Sequence, residues 1–285
     1  MNGKLPGRTA LVTGATDGIG LVIAREIAAK GARVLIVGRS ERKGQTACQT
    51  VRQAVAGAHV EFLRADLSAT EEVADLATRV RGATERLDLL VNNAGATFTQ
   101  RQESVDGIEM TFALNHLGYF GLTLRLLDLL RASSSARIVN TASFMHKWGS
   151  LDFDDLQFRR HYSGIRAYAR SKLCNVLFTH DLARRLADSR ITVNAVHPGV
   201  VRSNFANNNG AATRMFFDFV KLVSGISVEA GARTSVYLAT SPEVEGKTGL
   251  YFAKSKSVRT SRESQDRDLQ ARLWTVSAEL AKIDL

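Results

Sequence analysis

The segment Tyr168-Ala169-Arg170-Ser171-Lys172 sets a phenol and an ammonium four residues apart. Positions i and i+4 of a helix share a face, so the two groups converge on one spot. A cation beside a phenol favours the phenolate and draws its pKa down toward working pH, which suits proton transfer. Ser143 closes Asn140-Thr141-Ala142-Ser143 at the end of an apolar run. There its hydroxyl can hydrogen-bond a substrate oxygen. Asn115 falls in a stretch that otherwise reads as helix, where an amide is not the favoured local choice. A tyrosine and a lysine at this spacing occur often by chance, so the pair becomes specific only with a binding surface beside it.

That surface is legible near the N-terminus, in Thr13-Gly14-Ala15-Thr16-Asp17-Gly18-Ile19-Gly20. An apolar run enters this turn and a helical pattern leaves it, which is where a dinucleotide pyrophosphate docks. Gly14, Gly18 and Gly20 let the backbone approach phosphates, and Thr16, Asp17 and Ile19 lie in the same turn. The helix N-terminus adds free N–H groups and positive dipole. The spacing is Gly-x-x-x-Gly-x-Gly, unlike the more familiar Gly-x-Gly-x-x-Gly, and it also suits an ordinary tight turn between strand and helix. The second predicted strand ends in Val37-Gly38-Arg39-Ser40, with Lys43 one turn on and no acid before Arg39. An acid there holds the ribose diol of NAD, whereas an arginine accommodates the 2′-phosphate of NADP. The alternative for Arg39 is plain exposure at a strand end. Asp66-Leu67 follows the third strand and is placed to meet an adenine. Asn93, Ala94 and Gly95 end the fourth, at the edge where ligands of parallel sheets bind. NADP(H) is the cofactor this pattern predicts.

The elements that must hold these residues alternate along the chain. Apolar runs at Arg8–Thr13, Arg33–Val37, His59–Arg64, Leu87–Asn92, Arg137–Thr141, Ile191–Val196 and Gly249–Phe252 read as strands. Helical patterns span Ile19–Lys30, Glu41–Val55, Thr70–Arg86, Arg166–Asp188, Val228–Thr240 and Ser264–Ala281, with a further long helix between Gly107 and Arg131. Strands apolar on both faces and separated by helices predict a parallel sheet covered on both sides. Right-handed crossovers then predict a doubly wound α/β sheet of Rossmann type, as one domain over residues 1–285.

Composition narrows the classes further. Hydrophobic residues make up 45% of the 285, enough for a substantial core, and charged residues 23%, too ordinary for disorder. The net charge of +10 is scattered, densest at Lys254, Lys256, Arg259 and Arg262. Without a nucleic-acid motif such charges read as solvated surface, and no nucleic-acid partner is predicted. Cys48 and Cys174 are the only cysteines and form no paired motif, which suits a reducing compartment. The six histidines form no metal-type pair, so no metal is predicted. No apolar stretch is long enough for a membrane span, and the polar start Met1–Gly7 does not read as a signal peptide. A cytoplasmic protein is the expectation.

Together these motifs resemble the short-chain dehydrogenase/reductase superfamily over nearly the whole chain. Thr13–Gly20, Asn92–Gly95, Asn115, Ser143, Tyr168 and Lys172 each match a family motif. The resemblance implies a tetrad in which Tyr168 transfers the proton and Ser143 orients the carbonyl. Lys172 then holds the nicotinamide ribose and tunes the tyrosine, and Asn115 holds a water in a proton relay. It adds Tyr168, Lys172, Pro198, Gly199 and Val201 to the cofactor contacts, and implies a homodimer through the two long helices near Gly107–Arg131 and Arg166–Asp188.

A narrower resemblance is to the retinol dehydrogenase-like and WW-domain oxidoreductase-like branch. It rests on the extended segment Phe144–Ala167 with Asp152-Phe153-Asp154-Asp155-Leu156, on Ser171-Lys172-Leu173-x-Asn175, on His197–Arg202 and on Arg272-Leu273-Trp274. Vertebrate retinol dehydrogenases of this type usually carry an N-terminal membrane anchor, which is not seen in this sequence. The apolar segment Ser203–Ser224, with Met215, Phe216, Phe217 and Phe219, is predicted to form a lid over a lipophilic substrate. His146, Lys147 and Trp148 are predicted at the mouth of that pocket. The function expected is hydride transfer between NADP(H) and a carbonyl or alcohol carbon. The alternatives are reduction of a C=C bond, as in protochlorophyllide reductases, and a non-catalytic NADP(H)-binding regulatory protein.

Overall fold

The computed structural model describes residues 4–199 and 226–284. Eight strands form one sheet in the order β3-β2-β1-β4-β5-β6-β7-β8. They are β1 (Thr9–Thr13), β2 (Arg33–Gly38), β3 (Val60–Arg64), β4 (Leu89–Asn92), β5 (Arg137–Thr141), β6 (Thr192–His197), β7 (Leu250–Ala253) and β8 (Lys256–Ser257). All neighbours pair in parallel except β7 and β8. Only β8 escaped the sequence reading, because two exposed polar residues carry no apolar alternation. The strand order runs outward from β1 to β3, then reverses between β1 and β4. At that switch point the crossovers lead to opposite faces, and a crevice opens at the C-terminal ends of the strands.

Alternate residues of β1 serve the two layers. Ala10 and Val12 face α1 (Gly18–Ala28), α2 (Glu41–Ala54) and α8 (Val228–Thr240), packing with Ile23, Ile27, Val51 and Leu238. Leu11 faces the other side, with Val73 of α3 (Thr70–Ala83), Phe120 of α5 (Gly118–Arg125), Phe178 of α7 (Gly164–Arg185) and Trp274 of α9 (Arg267–Leu280). Each such side chain contributes about 1.5–3 kcal/mol of burial, so both layers hold the sheet edge that carries the candidate residues.

The long helix expected over Gly107–Arg131 is broken. Glu109, buried, caps α4 (Met110–Phe112) by accepting the N–H groups of Thr111 and Phe112. A π-helical turn, Ala113–Leu117, follows and runs into α5. A kink at Leu126 then separates α6 (Leu127–Arg131). Similarly, α9 starts at Arg267 and not at Ser264, because the Asp266 carboxylate accepts from the N–H groups of Asp268 and Leu269.

The second of the long helices is enclosed along much of its length. Every residue of α7 from Ala169 to Thr179 is buried, which is three full turns. One side faces the sheet and α9 lies on the other, with Trp274 stacked among Phe120, Phe178 and the Arg185 guanidinium. His116 reaches Ser277 at 2.8 Å, and Arg125 donates to the Ala281 carbonyl at 2.9 Å. The C-terminal helix thus packs across part of α7 and α5 within the chain itself.

Candidate active site

The C-terminal ends of β1, β4, β5 and β6 converge on the crevice. At the end of β1, Gly14 has φ +61°, and a β-carbon there would stand 2.7 Å from the Ala94 Cα. Gly18 has φ +57°, with Asp17 capping α1 through the Gly18 N–H. A β-carbon on Gly20 would stand 2.2 Å from the Gly14 carbonyl oxygen, so only glycine lets α1 cross β1 this closely. Ile19 packs part-buried against the apolar layer beneath. Thr16 sits against Gly38 at the end of β2, where a β-carbon would meet its methyl at 2.6 Å. This turn is clamped to the end of β4. The Thr13 hydroxyl accepts from the N–H groups of Asn93 and Ala94, and the Asn93 amide donates to the carbonyls of Thr13 and Gly14.

Arg39, half-exposed, lies 3.9 Å from the Asp66 carboxylate, so the ends of β2 and β3 are joined by an ion pair that the sequence did not announce. Asp66 also accepts from the Ser68 N–H and hydroxyl. Lys43 is exposed in the first turn of α2. Leu67 is buried under Gly118 and serves packing on that side. Pro198 and Gly199 follow β6 at the same edge, Gly199 with φ +90°. Val201 and the expected lid at 203–224 lie outside the described residues.

The structure brings Asn115, Ser143, Tyr168 and Lys172 together. Asn115 sits in the π-helical turn and pairs with the backbone of Ala96 in both directions, at 2.9 Å each, and donates to the Ser171 hydroxyl. A widened turn of this kind is frequent at functional sites, and here it places an amide that ordinary helix preference disfavours. A β-carbon on Gly95 would stand 3.1 Å from Asn115 Oδ1 and 3.6 Å from Lys172 Nζ, so that glycine keeps open the space both groups border. The Lys172 ammonium lies 5.5 Å from the Tyr168 ring centre. The Ser143 hydroxyl hydrogen-bonds the Tyr168 phenol.

The electrostatics run against the simplest expectation. Burial pushes the Tyr168 phenol up to about 12, only partly offset by the bond to Ser143. Burial also brings the Lys172 ammonium down to about 7. Desolvation penalises each charged form, so burial opposes the phenolate that the neighbouring lysine was expected to favour. Lys172 carries three N–H groups, and its one described acceptor is the Thr141 carbonyl at 3.0 Å. A buried ammonium with donors to spare beside an open glycine fits a ribose hydroxyl. The α1 N-terminus and the basic Arg39 and Lys43 fit the phosphates, so the residues present suit a dinucleotide.

Sequence reasoning missed several supporting groups. Asn175, one turn after Lys172, donates to the same Thr141 carbonyl at 3.2 Å. The Tyr119 hydroxyl holds the Ala94 carbonyl at 2.7 Å. Asn92, Asn140 and Thr179 form a buried chain of hydrogen bonds beneath the site. The i, i+3 spacing of Lys172 and Asn175 was the one legible signal. The pocket-mouth expectation holds for Lys147 and Trp148 only as far as exposure, Trp148 being 66% exposed and packed edge-on to Phe144. His146 is fully buried and turned inward, so it lines no mouth.

The family model described as short chain dehydrogenase matches residues 8–214. The chain belongs to the short-chain dehydrogenases. Within them it falls in the retinol dehydrogenase-like branch. It is 39% identical to retinol dehydrogenase 12 of Mus musculus, over 99% of this chain and 89% of that protein. It is 38% identical to retinol dehydrogenase 13 of Homo sapiens, over 98% and 86%. Among solved structures, an uncharacterized protein from Mycobacterium Paratuberculosis superposes with a TM-score of 0.81 at 32% identity, covering 99% of this chain and 96% of that one. A short chain dehydrogenase from Burkholderia cenocepacia, solved in complex with NADP, gives 0.70 at 27% identity, over 87% and 96%. This short-chain dehydrogenase is therefore an oxidoreductase acting at an alcohol or carbonyl carbon. No helix among its described residues is long and apolar enough to cross a membrane.

Proposed function

We propose that the chain reduces carbonyl compounds, or oxidises the corresponding alcohols, with NADP(H), and that its substrate is lipophilic. The observation that carries this reading is that Lys172 and Asn115 border the space left open by Gly95, with the Tyr168 ring beside Lys172 and its phenol bonded to Ser143. A bound nicotinamide would supply or accept the hydride. Tyr168, protonated at neutral pH, gives its proton to the carbonyl oxygen as the alcohol forms. Ser143, bonded to the phenol, holds that oxygen in line. Lys172 directs its spare N–H groups to the ribose, and Asn115 orders the relay by which the proton is replaced.

The 2′-phosphate preference rests on Arg39 and Lys43, with no acid before Arg39. Lipophilicity is supported by Phe144, 45% exposed, and Trp148 beside Ser143, and by the apolar composition of Ser203–Ser224. Reduction of a C=C bond finds no thiol to help it. Cys174 is buried in the core with its thiol pushed up to about 12, and Cys48 is buried on the inner face of α2.

The test is turnover of an aldehyde and ketone panel followed at the nicotinamide absorbance. Tyr168→Phe should lower kcat by at least about 10²-fold, the lower end of general acid catalysis, with NADPH affinity nearly intact. Ser143→Ala should lower kcat and spare cofactor affinity, whereas Lys172→Ala should harm both. Near-normal turnover by Tyr168→Phe would leave an NADP-binding regulatory protein as the better account.

A further inference from the structure

His146 is fully buried, three residues after Ser143, and its ring makes two hydrogen bonds of opposite sense. Nε2 lies 3.2 Å from the Ser261 N–H, which can only donate. Nε2 therefore accepts, and the neutral ring carries its proton on Nδ1. That nitrogen is 2.7 Å from the Ser143 carbonyl oxygen and donates to it. The same oxygen also accepts the His146 backbone N–H at 3.0 Å. The ring is tilted against Tyr251 of β7 at 4.8 Å. On the far side of the turn, the Phe144 N–H donates to His197 Nδ1 at 3.3 Å.

We infer that His146 is a positioning residue: it fixes the backbone of Ser143, and with it the hydroxyl that bonds Tyr168, by bridging the Ser143 carbonyl to the C-terminal segment at Ser261. This inference rests on the proposed role of Ser143. The physical argument is one of register. Ser143 stands at the junction of β5 and a short 3₁₀ turn, Phe144–Trp148, and its hydroxyl also accepts from the Met145 N–H. Such a turn has poor internal hydrogen bonds, so it does not hold a hydroxyl rigidly alone. The histidine supplies a second anchor from a remote part of the chain. A misplacement of about 1 Å at a reacting group costs about 10²-fold in rate. The ring itself touches none of the residues expected to hold the cofactor; its described hydrogen bonds are to Ser143 and Ser261.

Three variants separate the two bonds of the ring. His146→Leu loses both. His146→Asn places an amide N–H near Nδ1 and keeps the bond to the Ser143 carbonyl. His146→Gln places its amide near Nε2 and keeps only the tie to Ser261. The expected result is a fall in kcat of at least about tenfold for Leu and for Gln, recovery of most of it by Asn, and unchanged NADPH affinity by nicotinamide fluorescence in all three. Leucine or glutamine variants with wild-type kcat would overturn the inference, as would an asparagine variant as slow as leucine. If His146→Leu does not fold, the asparagine and glutamine pair decides alone. Ser143→Ala, run beside them, separates the levels. A slow Ser143→Ala with a fast His146→Leu refutes only the positioning role, and a fast Ser143→Ala refutes the reading beneath it.

Discussion

At the scale of single residues, Tyr168 meets two opposing influences, and desolvation outweighs the hydrogen bond from Ser143. The direction of the consequence follows from which form does the work. Below about 12 the phenol holds its proton, so the acid needed for carbonyl reduction is fully present at neutral and mildly alkaline pH. Alcohol oxidation needs the phenolate, which grows about tenfold per pH unit in that range. Initial rates from pH 8 to 10, above the Lys172 titration, should be flat for reduction and rising for oxidation. A flat oxidation limb would show that another group takes the proton. Arg39 gives a second expectation. Its ion pair with Asp66 is long and half-exposed, so the guanidinium is held near the end of β2 without being committed there. Arg39→Asp should raise the KM for NADPH about tenfold to a hundredfold, from about 1.5–3 kcal/mol per charged hydrogen bond. The KM for NADH should change much less, as steady-state kinetics with both cofactors would show. The motif residues here were legible because each matches a family motif in residue type and position. The Arg39–Asp66 pair and the inward turn of His146 were not, because they depend on partners 27 and 115 residues away in the chain.

At the scale of elements, α9 matters more than its position at the end of the chain suggests. Trp274 is nearly buried and forms one ring cluster with Phe120 and Phe178, under the Arg185 guanidinium. Truncating it removes a large side chain from a site closed on all sides. Trp274→Ala should lower stability by about 3–5 kcal/mol, measured by urea denaturation. A loss under 1 kcal/mol would mean that α9 does not cover α7 in solution. The periodicity of Ser264–Ala281 announced a helix with an apolar face, but a face does not name its partner. Likewise the pattern from Gly107 to Arg131 gave the helix and hid the π-helical turn. That turn is decided by the pairing of Asn115 with Ala96, which no local preference contains.

At the scale of the whole molecule, four histidines are held below their ordinary value by burial. His116 is brought down to about 3 and His197 to about 4, with His146 and His180 also lowered. Between those values and the ordinary 6.5, the unfolded chain binds protons that the folded chain refuses. Stability from these groups is therefore complete above about pH 6.5 and is lost progressively as pH falls toward 3. The slope should be on the order of 1 kcal/mol per pH unit per histidine. Thermal denaturation between pH 7.5 and 4.5 should show a falling Tm, and a His116→Phe variant should weaken the fall. A Tm independent of pH over that range would mean that these rings are hydrated in solution.

What the sequence determined by itself was the alternation of strands and helices, the doubly wound sheet and the glycine turn, while Asn115, Ser143, Tyr168 and Lys172 were identified through their match to family motifs. The first three follow from local spacing, since apolar periodicity and turn chemistry act between near neighbours. Tertiary structure alone decided the rest. It placed α9 over the helices expected to pair with a second copy. It raised Tyr168 and lowered Lys172, because desolvation depends on everything packed around a group and not on its neighbours in sequence. It also turned His146 inward, where a hydrogen bond to the nearby Ser143 carbonyl and one from the distant Ser261 N–H compensate for burying a polar ring.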